Sequence, residues 1–124
     1  IVADRIGHPS AFAVRGDPLE AIDLWTGGDH VIIVDAMRSG AAAGTTRRLP
    51  AAECGDAGMS YASTHAMGPA EVIGLAAALG RLPADLEVVG IEVGPVGLGA
   101  PMSPEVGAAV DTLVEELLEE LRDA

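Results

Sequence analysis

The run Asp29-His30-Val31-Ile32-Ile33-Val34-Asp35 decides the fold class. Four consecutive β-branched apolar residues leave no polar face for solvent, so 31–34 reads as a strand covered on both sides, as in the interior of a parallel sheet. Such a strand needs neighbours in its sheet and helices above and below it. A second buried strand is expected at 86–91, Leu86-Glu87-Val88-Val89-Gly90-Ile91. Thr45-Thr46-Arg47-Arg48-Leu49 reads as an edge strand with its polar residues outward. A short strand is expected at 11–14.

Helices fill the intervals. Residues 1–6 read as the end of a helix, closed by Gly7 in the C-cap position with Pro9 just beyond. Asp17-Pro18-Leu19-Glu20 is a helix start, with a capping carboxylate, Pro in the first turn and an acid three residues after the cap. Leu19, Ile22 and Trp25 should share one face of that helix, which Gly27 and Gly28 stop. Residues 68–79 are apolar on nearly all sides and predict a well-buried helix ended by Gly80. Ser103-Pro104-Glu105 opens the last helix, where Val106, Val110, Leu113, Leu117 and Leu121 form one apolar stripe. Strands alternating with helices give an α/β fold, a mainly parallel twisted sheet with helices on both faces, in one domain over 1–124.

The composition narrows the function. Of 124 residues, 49% are apolar, enough for a real core. Phe12, Trp25 and Tyr61 are the only aromatics and the formal net charge is −12, which argues against a nucleic-acid partner. Much of that charge lies on the last helix, in Asp111, Glu115, Glu116, Glu119, Glu120 and Asp123, and reads as its solvated face. One cysteine, Cys54, allows no internal disulfide and no structural zinc site, so a reducing, cytoplasmic location is expected. The longest apolar stretch, near 72–79, is far short of the roughly 20 residues that span a bilayer, so no membrane partner is expected. The chain opens on Ile1 rather than Met, and Ile1 is expected not to be the natural start.

Two residues stand where chemistry is expected. In parallel α/β sheets ligands gather at the carboxyl ends of strands, and Asp35 closes the 31–34 strand. His65, in Ser63-Thr64-His65, precedes the 68–79 helix and can reach the same rim. A carboxylate and an imidazole converging there can ligate a transition metal, or act as base and orienter. The plainer readings are that Asp35 ties down the following loop and His65 caps a helix. His8 and His30 read as turn and surface residues. Ser39 and Ser63 lack a nucleophile-elbow context, and Cys54 lies between the acids Glu53 and Asp56, which disfavour a thiolate. The segment 94–99 is not a dinucleotide fingerprint.

Three stretches in order resemble the hydrogenase maturation proteases. They are 29–40 continuing to Gly44-Thr45, then Ser63-Thr64-His65-Ala66-Met67-Gly68 with its helix, then 89–92 with 98–104 before the last helix. The resemblance spans about residues 10–122. It implies a three-layer α/β/α fold of the phosphorylase/hydrolase-like kind. It also implies a nickel-dependent endopeptidase that removes the C-terminal extension of a nickel–iron hydrogenase large-subunit precursor, with the nickel supplied by that precursor. On the matching positions Asp35 and His65 are two of the family's three metal-site residues. The third, an acidic residue in a glycine-rich segment after the family's first strand, is expected upstream of Ile1, together with that strand and part of the first helix; the 124-residue chain by itself is then expected to be inactive. The alternative is a non-catalytic α/β binding module of the same fold. The peptidase reading expects the Asp35 and His65 side chains on one rim, close enough to share a metal or a water.

Overall fold

The computed structural model describes residues 2–7, 9–13, 18–27, 29–51, 68–94 and 102–123. Among these the chain forms helix α1 (Val2–Ile6), helix α2 (Pro18–Ile22), strand β1 (His30–Met37), strand β2 (Thr46–Pro50), helix α3 (Pro69–Ala78), strand β3 (Asp85–Glu92) and helix α4 (Pro104–Asp123). The sheet order is β1-β3-β2. β1 and β3 run parallel from His30 opposite Asp85 to Met37 opposite Glu92, whereas β2 is antiparallel to β3.

This is the expected α/β architecture. Among the described residues the sheet is mixed, because one of its two pairings is antiparallel, and β3 is the central one of its three strands. The burial of β3 follows: from Val88 to Glu92 every residue is buried, while 31–36 of β1 are half-buried. The 11–14 strand is not formed at 11–13, and Val14 lies outside the described residues. A strand exists by pairing, and Phe12 is instead 53% exposed.

Alternation along β1 sends its side chains into two separate cores. Ile32 and Val34 pack against Val89, Ile91, Val106, Val110, Leu113, Val114 and Leu117, beneath α4 and α1. Val31 and Ile33 pack against Ile22, Trp25, Val72 and Ala76, beneath α2 and α3. Helices therefore cover both faces of the sheet. The α4 stripe is as the periodicity predicts, with Leu121 half-buried at its end. Each fully buried Val or Leu there contributes roughly 1.5–3 kcal/mol. Ser103 caps α4, its hydroxyl accepting from the Val106 N–H at 3.3 Å.

Two helices are less buried than the sequence suggests. In α2, Ile22 is fully buried but Leu19 is 47% exposed. The helix ends at Ile22, after which the Leu24 and Trp25 amides donate three residues back, to Ala21 and Ile22. The tighter pitch turns Trp25 inward without carrying Leu19 along. In α3 only Pro69, Val72 and Ala76 are buried. Its outer face is Ala, Gly and Glu, small or polar residues that raise the apolar count without needing cover.

The amino ends of the strands are tied together. Trp25 Nε1 donates to the Arg81 carbonyl at 2.8 Å, an Arg81 guanidinium nitrogen donates to the Ile22 carbonyl at 3.1 Å, and the Ala84 N–H donates to the Gly27 carbonyl at 2.7 Å. These bonds hold the turn into β1 against the turn into β3. At the opposite end Gly44 adopts a φ of +89°, and a Cβ built there would lie 2.6 Å from the Glu105 carbonyl oxygen of α4. Gly44→Ala is therefore expected to cost more than about 1 kcal/mol, through a left-handed backbone and a clash with backbone that cannot move aside. Urea unfolding of the pair checks this; equal midpoints would contradict it.

Candidate active site at the carboxyl rim

β1 and β3 end side by side, Met37 opposite Glu92. The chain then turns back across this rim through residues 38–45 to begin β2. Gly40, with φ +87°, and Gly44 supply the backbone freedom for the reversal.

One residue, Glu92, ties this turn down at several points. The Glu92 N–H donates to the Thr45 carbonyl and the Glu92 carbonyl accepts from the Gly44 N–H, both at 2.8 Å. Glu92 Oε1 accepts from the Ser39 N–H and from Ser39 Oγ, both at 2.7 Å. Oε2 accepts a longer bond, 3.4 Å, from the Gly94 N–H. Beside it the Val93 N–H donates to the Met37 carbonyl at 3.1 Å.

Glu92 is 1% exposed. Desolvation pushes its carboxyl upward, and this is the largest single influence on it. The opposing hydrogen bonds from the Ser39 hydroxyl and amide, Gly94 and Ala41 together outweigh it, and the carboxyl is held below its ordinary range. The donors are all uncharged, so a buried anion is stabilised by oriented dipoles. Sequence reasoning singles out no role for Glu92. Its one available signal is a charged residue ending an otherwise apolar interior strand.

Asp35 is half-buried and lies opposite Gly90 on β3. It is not at the end of its strand, as the sequence suggests, because pairing with β3 carries β1 on to Met37. It therefore stands one inward-facing position before the Met37–Glu92 rung. It shares the face of Val31 and Ile33, the face that α2 and α3 cover. Gly90 also pairs with Arg47 of β2, so a carboxylate and a guanidinium flank a glycine in one cross-strand row. A carboxylate at this depth can ligate a cation or accept a proton, and the row can orient a polar substrate group.

α3 ends where the short connection to β3 begins, at the tied amino rim. A helix of ten residues is about 15 Å long, so its Gly68 end reaches towards the carboxyl rim. The Glu71 carboxylate accepts from the Gly68 N–H there at 2.9 Å, fixing the helix start. His65 lies outside the described residues, as do Ser63, Thr64 and Cys54. Of the two expected site residues the structure thus describes Asp35 alone. Among the described residues no group of three or more His, Cys, Asp or Glu could hold a metal ion, and no helix is long and apolar enough to cross a membrane.

The fold is an open α/β sheet, a class in which ligands bind at the carboxyl ends of the strands. The hydrogenase maturation protease (HycI) family model matches residues 16–120, and the chain belongs to that family. A [NiFe] hydrogenase maturation protease, HybD from Thermococcus kodakarensis, is similar in structure with a TM-score of 0.69 and 27% identity, over 89% of this chain and 76% of that one. The hydrogenase maturating endopeptidase HybD from Escherichia coli gives a TM-score of 0.70 at 24% identity, over 98% of this chain and 80% of that one. An Escherichia coli endopeptidase solved in solution gives 0.71 at 22%, with the same coverage. The two Escherichia coli structures show the fold. A search of curated proteins finds no match.

The Glu92 carboxyl sets a sign for the pH dependence of stability. Its pKa is lower folded than unfolded, so its ionised form contributes stability that is complete above the unfolded carboxylate range and lost as pH falls through the folded value. The unfolding free energy of the wild type minus that of Glu92→Gln should be most positive near pH 7 and decline as pH falls below about 4. Urea titrations across pH measure it; a difference that stays constant or grows on acidification would contradict the assignment.

Proposed function

We propose that the protein is a cytoplasmic endopeptidase that removes the C-terminal extension of a nickel–iron hydrogenase large-subunit precursor after nickel insertion. The observation that carries this reading is the family match over 16–120, whose span includes the rim and Asp35. The likeness to the Thermococcus kodakarensis [NiFe] hydrogenase maturation protease supports it.

Nickel enters with the precursor, as part of the substrate. A carboxylate oxygen and an imidazole nitrogen are both suitable donors for it, and Asp35 and His65 are the residues assigned to that role. His65 is assigned from its place in Ser63-Thr64-His65, three positions before Gly68, and α3 covers the face on which Asp35 lies. A metal held there supplies Lewis acidity towards a scissile carbonyl or an attacking water. Asp35 and His65 orient the substrate through it.

The test is paired. Asp35→Asn keeps shape and loses the charge; His65→Ala removes the imidazole. Each is expected to lower processing of a nickel-loaded precursor by at least about 100-fold, while the melting temperature stays near that of the wild type. Gel analysis of the precursor and thermal melting of the same variants provide the readouts. Retained processing in both variants would remove the site. Lost processing with an equal collapse in melting would make Asp35 a tie for its loop.

A further inference from the structure

We propose that Glu92 is a positioning residue of this rim: by clamping Ser39 from a buried site on the central strand, it fixes the 38–45 turn and the strand end that carries Asp35. The role at the site rests on the peptidase reading above, but the clamp can be tested without any cleavage.

Geometry carries the proposal. The last residue of the central strand holds the turn at four points: Ser39 and Ala41 through the carboxylate, and Gly44 and Thr45 through the backbone. The backbone bonds continue the β2–β3 ladder and would form with any non-proline residue there. The carboxylate's attachment is different, because it depends on the side chain and, through Ser39, reaches the turn just after β1 ends. Without it, residues 38–43 would leave β1 with a left-handed glycine at position 40 and exposed residues at 40–42. Such a turn would keep much of its conformational freedom.

The choice of residue points the same way. An apolar side chain in a site only 1% exposed would avoid the cost of burying a charge, and such replacements often stabilise a fold. Glu92 gives up that advantage and gains directional bonds that select one loop geometry. Asp35 lies one inward-facing position before Met37, whose carbonyl is itself bound by Val93, the residue after Glu92. A shift of the turn is therefore felt at the strand end, and misplacement by about 1 Å near reacting groups costs about 100-fold in rate.

Three variants separate the clamp from general stability. Glu92→Gln keeps an oxygen for both Ser39 bonds, Glu92→Ala keeps none, and Ser39→Ala removes the hydroxyl bond alone. Amide hydrogen exchange on the intact protein is expected to show Ser39 protected in the wild type and in Glu92→Gln. In Glu92→Ala that protection should be lost, while Val89 and Val110 keep theirs. With nickel-loaded precursor, assayed well below melting, Glu92→Ala should lose about 100-fold in kcat with a smaller change in KM, and Glu92→Gln should recover to within about tenfold of wild type. A freely exchanging Ser39 amide in the wild type would overturn the clamp. So would wild-type kcat in Glu92→Ala when Asp35→Asn is inactive. If the wild type cleaves no precursor, the proposed function fails, and the exchange data alone still decide the clamp. If Glu92→Ala does not fold, the decision passes to the other two variants. Ser39→Ala should then show reduced turn protection and kcat while Glu92→Gln shows neither in large measure; equal behaviour of Ser39→Ala and the wild type would overturn the proposal.

Discussion

A carboxylate buried at the end of the central strand ties this rim together among the described residues. Removing an anion from water costs several kcal/mol, and it is tolerated only where enough donors converge on it. At Glu92 the donors come from Ser39 and Ala41, in the turn that follows β1, and from Gly94, where the chain leaves β3. Satisfying one side chain therefore fixes the exits of two strands at once. The turn from β1 to β2 lies across that point, and its Gly44 can then fit beneath the first turn of α4, where a Cβ would strike the Glu105 carbonyl.

The rest of the frame is built to hold that end still. Ile32 and Val34 face one core, Val31 and Ile33 the other, so β1 is gripped from both sides. At the amino rim Trp25, Arg81, Gly27 and Ala84 bind the turns into β1 and β3 together. On the face of the sheet that α4 covers, Arg48 of β2 bridges Glu87 of β3 and Glu120 of α4, with bonds of 2.7–2.9 Å. Such a partly exposed pair contributes modestly, though a network of three fixes β2 relative to α4 better than one isolated pair. The carboxyl rim, where Asp35 lies, is thus mounted on a sheet anchored at its opposite end and along both faces.

Elements specified by local rules were legible in the sequence. The β-branched run at 31–34, the Ser103-Pro104 cap, the stripe of α4 and the glycines that end helices each carry their signal within a few residues. Elements decided by distant partners were not. Nothing near Leu19 says that the chain will tighten after Ile22, and nothing near β1 says that β3 will take the centre. Glu92 is the clearest case: an acid after Ile91 reads as a strand meeting solvent, and its burial depends on Ser39, which lies 53 positions earlier. For the candidate site, strand-end logic points to Asp35, although pairing with β3 carries the strand two residues further. His65 came from its place before a helix, and it lies outside the described residues.

Membership of the hydrogenase maturation proteases brings these features together. Under the proposed function this rim cuts a hydrogenase large-subunit precursor by way of the metal the precursor carries. The most direct measurement is mass spectrometry of purified precursor, nickel-loaded or nickel-free, after incubation with the intact protein. The account predicts loss of a C-terminal segment from the nickel-loaded form and none from the nickel-free form. Failure to shorten the loaded precursor, or equal shortening of both forms, would contradict it.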